Sequence, residues 1–159
     1  MAPSQAVLIE EIGMHFETMY GIPPLAARIY ATLVLSTRDG KSFEELTEQM
    51  GASKSSMSTS INLLLQLDKI EYYTKPGDRK RYFRKKANYL KMRLENYIKI
   101  IDREMVLFDK TFDYLKENNP SAFEEGAPIK EVYHDYLEKS KQLMQDTIHK
   151  LDKNIEKKH

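Results

Sequence analysis

The sequence predicts a mainly α-helical fold that carries one small β-hairpin, and three observations lead to this prediction. Apolar residues recur every three or four positions over most of the chain, which is the period of a helix with one buried face. Between residues 70 and 86 that period gives way to two segments rich in tyrosine, phenylalanine and β-branched residues, separated by a Pro-Gly turn. With 159 residues, of which 41% are hydrophobic, the chain is long enough for one ordinary domain with a helical extension.

Two amphipathic helices are predicted at the start of the chain. The first is capped by Ser4 and ends near Tyr20, and its apolar stripe consists of Leu8, Ile12, Phe16 and Met19. Gly21 ends this helix, and Pro23-Pro24 suits the entry to the second. The residues of the second helix that we expect to point inward are Leu25, Ile29, Tyr30, Leu33 and Val34.

A tight turn joins a third and a fourth predicted helix. Ser42 and Glu45 have the spacing of a capping box, which begins a short helix whose buried face is Phe43, Leu46 and Met50. Gly51 ends this helix and Ser53 caps the next, which is the spacing of a helix-turn-helix. The inner side of the fourth helix carries Met57, Ile61 and Leu64. Its outer side carries Ser55, Thr59, Asn62 and Gln66.

The start of the fourth helix is unusually rich in hydroxyl groups, since six of the eight residues from Ser53 to Ser60 carry one. Short hydroxylic residues are poor helix formers, so a requirement other than helix stability accounts for them. They would let the helix start approach phosphates and let hydroxyls meet base edges in a major groove. The alternative is a capping region beside a surface that tolerates small residues.

The tip of the predicted hairpin is basic. Pro76 and Gly77 are expected to form the turn, and Asp78 is expected to hold a neighbouring arginine. The side chains that project at or near the tip are Arg79, Lys80 and Arg81. An arginine on a narrow ribbon fits the negative potential of an A·T-rich minor groove. Farther along the strand, phosphate contacts are expected for Arg84, Lys85 and Lys86.

The charge distribution supports a phosphate partner for this region. The whole chain carries a net charge of +1, which by itself indicates nothing. From Ser53 to Lys86, however, nine basic residues stand against three acidic ones, a local charge of +6, which leaves −5 for the remainder. This is the pattern expected where phosphates are bound. The alternative is a solvated hairpin whose exposed edge is kept soluble by its lysines.

Two long helices are predicted beyond Asn88. The first reaches Asn118 and has apolar residues at Leu90, Leu94, Tyr97, Ile101, Met105, Phe108, Phe112 and Leu115. Asn118-Asn119-Pro120 is expected to stop it, with a loop over residues 120–128. A last helix from about Ile129 carries Val132, Tyr133, Tyr136, Leu143, Met144, Ile148, Leu151 and Ile155. One small domain cannot cover this much apolar surface, so we expect a partner chain.

Several classes of protein find no support in the sequence. Without cysteine there is no thiolate metal site, disulfide or cysteine nucleophile. No apolar run is long enough to span a membrane and the acidic start does not resemble a signal peptide, so we expect a cytoplasmic protein without a membrane partner. The pair His134 and Glu138 is a weak metal signal because a second histidine or cysteine ligand is absent. With no phosphate loop or nucleophile motif, we expect neither an enzyme nor a cofactor.

Three segments resemble the winged helix-turn-helix regulators of the MarR superfamily, and within it the GbsR-like branch. They are Gly-Ile-Pro-Pro-Leu-Ala-Ala-Arg-Ile-Tyr (21–30), Gly-Ala-Ser-Lys-Ser-Ser-Met-Ser (51–58) and Pro-Gly-Asp-Arg-Lys (76–80). The resemblance implies a homodimeric prokaryotic transcription factor, with dimerisation helices at residues 1–20 and 88–159 around a DNA-binding domain at 21–87. It assigns the recognition role to Lys54, Ser55, Ser56, Ser58, Thr59 and Asn62. It assigns the wing role to Arg79, Lys80 and Arg81, beside Lys75. Many relatives carry a long basic residue where this chain has Thr59.

The resemblance also implies a small-molecule effector bound between the DNA-binding lobe and the dimerisation helices. Aromatic residues in or beside such a crevice are Tyr20, Tyr30, Tyr89, Tyr97 and Tyr133, and a cage of this kind suits a quaternary ammonium ligand. The alternative is that these rings belong to the core, as aromatic residues at helical spacing usually do.

The expected function is therefore that of a homodimeric transcriptional regulator that binds an inverted-repeat operator in double-stranded DNA. The alternative is a winged-helix module that binds another protein without reading DNA sequence, which the absence of a long basic side chain at Thr59 keeps open.

Overall fold

Six helices and three short strands follow one another over residues 3–156, the part of the chain that the computed structural model describes, with side chains described through Asn154. The helices are α1 Gln5–Tyr20, α2 Pro24–Val34, α3 Phe43–Met50, α4 Lys54–Gln66, α5 Tyr89–Asn118 and α6 Pro120–Glu156. The strands are β1 Lys41–Ser42, β2 Ile70–Thr74 and β3 Arg81–Lys85. The predicted fold class, mainly α with a small antiparallel β element, is confirmed. The chain divides into two compact units, Met1–Ala87 and Asn88–His159.

Helix α2 is the centre of the first unit. Seven of its eleven residues are buried, namely Ala26, Ala27, Ile29, Tyr30, Ala31, Thr32 and Leu33. A helix that is apolar nearly all round must be surrounded, and α2 is packed against α1, α3, α4 and β3. Leu25 and Val34, which were expected inside, are only half-buried.

Helix α1 packs on α2 through a face that is shifted from the predicted stripe and shares Phe16 with it. Its buried residues are Ile9, Gly13 and Phe16, whereas Met19 of the predicted stripe is 61% exposed. The reason lies in α2, because the guanidinium of Arg28 lies over Gly13 and pairs with Glu10 and Glu17. The contact with Arg28 therefore determines that the side of α1 carrying Gly13, Glu10 and Glu17 packs on α2.

The hairpin is part of a three-stranded antiparallel sheet with strand order β1-β3-β2. In the hairpin, Tyr72 pairs with Phe83 and Thr74 with Arg81. The sequence analysis missed β1, because two residues are too few to show an alternating pattern.

In the second unit, α6 begins at Pro120, so the predicted loop over residues 120–128 is wrong. Proline is well suited to a first helical turn, and the side chain of Asn119 accepts a hydrogen bond from the Ala122 amide at 3.3 Å. Pro128 lies inside the helix, where the packing of α6 along α5 offsets the lost hydrogen bond. Gly126 faces the ring of Phe112, which explains the glycine without a turn.

Ion pairs join α5 and α6 along their length, between Lys91 and Asp152, Lys141 and Asp102, and Lys130 and Asp109. The side chain of Ile155, assigned to the apolar stripe of this helix, lies outside the described residues. None of the helices described is long and apolar enough to cross a bilayer.

Candidate nucleic-acid interface

Helix α4 is held so that one face is exposed over its whole length. Met57, Ile61 and Leu64 are buried, and α4 packs against α2. Gly51 has φ of 60° and ends α3, and Ser53 caps α4 two residues later. The tight turn and the three apolar anchors therefore leave the polar face directed to solvent.

The polar side chains on the outer side of α4 divide into two sets, and those of the first set bond within the helix start. Ser53 Oγ accepts a hydrogen bond from the Ser56 amide at 3.2 Å, and it lies 3.1 Å and 2.9 Å from the hydroxyl oxygens of Ser55 and Ser56. Thr59 Oγ1 donates to the carbonyl of Ser55 at 3.0 Å. Helix capping thus accounts for part of the hydroxyl content, as the alternative interpretation expected.

Ser58 and Asn62 form the second set, farther along the same helix. Both residues are exposed, and neither side chain makes a hydrogen bond with any residue between 3 and 156. The polar groups of both side chains therefore have full capacity to bind something else.

The hairpin tip is held by its own backbone and by Asp78. The amide of Asp78 donates to the carbonyl of Lys75 at 3.0 Å, and Gly77 has φ of 77°, as a Pro-Gly type II turn requires. Asp78 was expected to hold an arginine. Instead its Oδ1 accepts from the Lys80 amide at 2.9 Å and its Oδ2 from the Tyr82 hydroxyl at 2.8 Å.

These bonds shift the ionisation of both side chains. The hydrogen bond from the Lys80 amide, together with that from Tyr82, holds the pKa of Asp78 below its ordinary value. The same carboxylate raises the pKa of Tyr82 to about 12. At neutral pH the tip is thus held by an ionised acid and a protonated phenol, and no arginine is used to hold it.

Several cations of the basic stretch already have partners inside the protein. Arg84 pairs with Glu71 at 2.7 Å and lies 4.6 Å from the ring centroid of Tyr73. Lys86 pairs with Asp68, and Lys85 Nζ donates to the carbonyl of Val34 at 2.9 Å. We predicted phosphate contacts for these three cations, and the internal contacts reduce their capacity for them.

Four further cations of the basic stretch, Lys54, Arg79, Lys80 and Arg81, are exposed, and Lys75 is half-buried. No hydrogen bond or ion pair joins the side chain of Lys54, Arg79 or Lys80 to the described part of the chain. Lys75 Nζ lies 4.0 Å from the ring centroid of Tyr82, a contact that leaves its charge uncompensated. The guanidinium of Arg81 lies 5.9 Å from the ring centroid of Tyr72 and forms no hydrogen bond or ion pair within residues 3–156.

Arg81 follows Arg79 and Lys80 of the tip directly and pairs with Thr74 at the end of the strands nearest the turn. It begins β3 on the same face as Phe83, and this face is turned toward α4. A small cleft of about 60 Å³ is lined by Phe43, Ser58, Ile61, Asn62, Leu65, Arg81 and Phe83. The structure thus brings Ser58 and Asn62 of α4 together with Arg81 of β3.

Two other sequence hypotheses concerned effector and metal binding. Tyr30 is fully buried and its ring centroid lies 4.7 Å from that of Phe16, so it belongs to the core of the first unit. His134 lies 3.9 Å from a carboxylate oxygen of Asp109.

Comparisons with known proteins found similarity to transcriptional regulators. No family model matches the sequence. HTH-type transcriptional regulator MmpR5 of Mycobacterium tuberculosis (strain ATCC 25618 / H37Rv) is 33% identical over 86 residues, which are 54% of this chain and 52% of that protein. The chain thus spans about half the length of the curated relative it matches. A crystal structure of a transcriptional regulator has a TM-score of 0.62 and 24% identity over 95% of this chain and 99% of that one.

The second likeness shows that this chain has the fold of a winged-helix regulator. Both of the proteins that this chain resembles are named as transcriptional regulators.

Proposed function

We propose that this chain is a DNA-binding transcriptional regulator that reads sequence as a homodimer, and that it belongs to the GbsR-like branch of the MarR superfamily. The observation that carries the proposal is the exposed polar face of α4 beside a wing whose tip cations, Arg79 and Lys80, form no side-chain hydrogen bond or ion pair within residues 3–156. Two cations farther along the hairpin are paired with acids, Arg84 with Glu71 and Lys86 with Asp68. Uncompensated positive charge is thus concentrated where a winged helix meets DNA.

In this proposal α4 enters a major groove and the wing reaches an adjacent minor groove. The outer face of α4 presents hydroxyl and amide groups, which recognise base edges at short range. The turn at Pro76-Gly77 carries Arg79 away from the sheet, in the form in which arginine enters a narrow minor groove. The residues proposed to contact DNA are Lys54, Ser55, Ser56, Ser58, Thr59, Asn62, Lys75, Arg79, Lys80 and Arg81.

The proposed dimer is supported by the apolar surface of the second unit. Leu107, Val132 and Leu143 are exposed by 67%, 74% and 68%. An open apolar groove on α6, of about 610 Å³, is lined by Pro128, Ile129, Val132, Tyr133 and Tyr136. Monomeric proteins rarely leave contiguous apolar surface of this kind uncovered, and a second copy of the chain would cover it. A two-fold axis would then place two α4 helices about 34–36 Å apart, which requires an inverted-repeat operator.

Modulation by a small-molecule effector is also part of the proposal, supported by the family resemblance alone. The resemblance likewise supports a prokaryotic protein. In such a cell a transcriptional regulator must reach genomic DNA, so the proposed location is the cytoplasm.

The test is selection from a pool of random duplex DNA at two salt concentrations, followed by sequencing of the bound fraction. Enrichment of an inverted repeat is the expected result. Salt-sensitive retention without an enriched motif would remove sequence specificity from the proposal, and no retention at either salt concentration would overturn it.

A second function is a winged-helix module that binds another protein. The observation in its favour is that Thr59, whose hydroxyl bonds to its own helix, stands where a long basic reader is common in the family that the chain resembles. Salt titration separates the two functions, because affinity for a protein surface does not fall steeply with the logarithm of salt concentration as affinity for DNA does.

A further inference from the structure

We infer that the cleft between α4 and β3 binds one phosphate group of the DNA strand that separates the two grooves. The inference rests on the proposed function and assigns a separate role to Ser58, Asn62 and Arg81 within it. These three residues would fix the position of α4 along the DNA, and the wing tip would contact the minor groove independently.

The strand register places Arg81 in this cleft. Arg81 pairs with Thr74 and stands two residues before Phe83, which is 1% exposed, so both side chains lie on the face of the sheet turned toward the helices. Arg84, three residues farther along the same strand, lies on the opposite face. One strand therefore carries two arginines with different surroundings.

The polar groups that line the cleft suit an anion. Ser58 offers a hydroxyl, Asn62 an amide and Arg81 a guanidinium, and no acidic side chain lines the cleft. Arg81 forms no ion pair within residues 3–156, so its charge is available to a ligand. A planar guanidinium beside two neutral hydrogen-bonding side chains is a common way to hold a phosphate oxygen.

The position of the cleft identifies which phosphate it would meet. If α4 lies in the major groove and the tip of the hairpin in the adjacent minor groove, the sugar-phosphate strand between the grooves must pass between these two elements. The cleft lies at that place, between Asn62 on α4 and Arg81, the first residue of β3. A phosphate contact there sets the register of the protein on DNA and carries no sequence information.

The experiment compares Arg81→Ala with Arg84→Ala, using a duplex taken from the enriched pool. Both variants remove one arginine from β3 and change the net charge equally. We expect Arg81→Ala to reduce the slope of log affinity against log salt concentration by about 1 per half-site. We expect Arg84→Ala to leave the slope within about 0.3 of the wild type, since Glu71 already neutralises Arg84. Thermal unfolding of both variants checks that the wing remains folded.

Phosphate ethylation interference provides a second measurement. A change in the overall charge of the protein does not by itself remove interference at one particular phosphate. In the wild type, ethylation of one phosphate in each half-site should block binding, and in Arg81→Ala that interference should disappear. Equal salt slopes for the two variants, or an unchanged ethylation pattern in Arg81→Ala, would overturn the inference while the proposed function stands. A loss of base preference at one operator position in Arg81→Ala would identify a base contact instead. Failure of the wild type to bind DNA would overturn both.

Discussion

At the scale of single residues, two glycines with nearly the same backbone conformation are required for different reasons. Gly21 and Gly40 have φ of 61° and 59°, in the left-handed region that other residues rarely adopt. Nothing lies within 4 Å of a Cβ at Gly21, whereas a Cβ at Gly40 would overlap the carbonyl oxygen of Phe83. Gly21 is thus required only to end a helix, and Gly40 also lets β1 approach β3.

This difference predicts unequal costs for the same substitution. Gly21→Ala should reduce the free energy of unfolding by about 1 kcal/mol, the cost of placing alanine in a left-handed conformation. Gly40→Ala should reduce it by more than about 2 kcal/mol, because the strand pairing must shift as well. Urea unfolding at pH 7 measures both. Equal losses for the two variants would show that the close approach to Phe83 contributes nothing.

At the scale of elements, the start of α3 depends on a reciprocal pair of hydrogen bonds. Ser42 Oγ accepts from the Glu45 amide at 3.2 Å, and the Glu45 carboxylate accepts from the Ser42 amide at 2.6 Å. The bonds from Ser42 hold the pKa of Glu45 below its model-peptide value of 4.5. The ionised form of Glu45 is therefore favoured in the folded state.

Replacing Glu45 by alanine should reduce the free energy of unfolding at pH 7 by about 1 kcal/mol, the usual value of a helix cap. Because the native pKa is lowered, the ionised form stabilises the protein above pH 4.5 and this contribution is lost as pH falls through the native pKa. The difference between wild type and variant should therefore shrink between pH 5 and pH 3, as measured by urea unfolding. Glu44→Ala is the control, because Glu44 is in the same turn but takes no part in the capping box. A pH-independent difference would contradict the assignment.

The wing is the second element whose role can be isolated. The side chains of Arg79 and Lys80 form no ion pair within the described chain, so replacing both by alanine should weaken binding to the enriched duplex by roughly tenfold or more at about 0.1 M salt and flatten the salt dependence. The matched control is Lys150→Ala with Lys153→Ala, which removes two exposed cations of α6. Fluorescence anisotropy over a range of salt concentrations measures both pairs. If the two double variants behave alike, the wing has no specific part in binding.

At the scale of the whole molecule, the second unit does not cover its own apolar surface. Within the described chain α5 and α6 bury only Ile101, Phe112 and Leu137, while Val132, Tyr136 and Leu143 are among the exposed residues. Two paired helices present more apolar surface than each can cover on the other. This is the physical basis for expecting a second copy of the chain.

A charge in the α6 groove should therefore shift the protein from dimer to monomer. Val132→Glu places a carboxylate at the centre of the exposed apolar residues, and we expect its sedimentation coefficient to be that of a single 18.6 kDa chain. Gln145→Glu adds the same charge at an exposed position outside the groove and should sediment as the wild type does. A wild type that is already monomeric at micromolar concentration would remove the dimer from the proposal.

The sequence by itself determined the elements whose apolar residues follow a regular local pattern. Amphipathic stripes several turns long identified α2, α4 and α5, and the change of period at Ile70 identified the hairpin, because such patterns express which face of a segment avoids water. It did not reveal β1, which is two residues long, or the first turns of α6, where Pro120, Gly126 and Pro128 give the signature of a loop. Proline and glycine are local signals, and packing against α5 outweighed them.

The tertiary structure alone decided which charges are available. Arg81 and Arg84 are equivalent in a count of basic residues, and strand register places them on opposite faces, one in a cleft with Ser58 and Asn62 and one beside Glu71. The buried face of α1 was likewise decided by Arg28 on α2. Ion pairs and clefts are formed by groups that are distant in the sequence. The composition and the apolar periodicity therefore identified the basic region, but they did not identify which of its side chains remain able to bind a ligand.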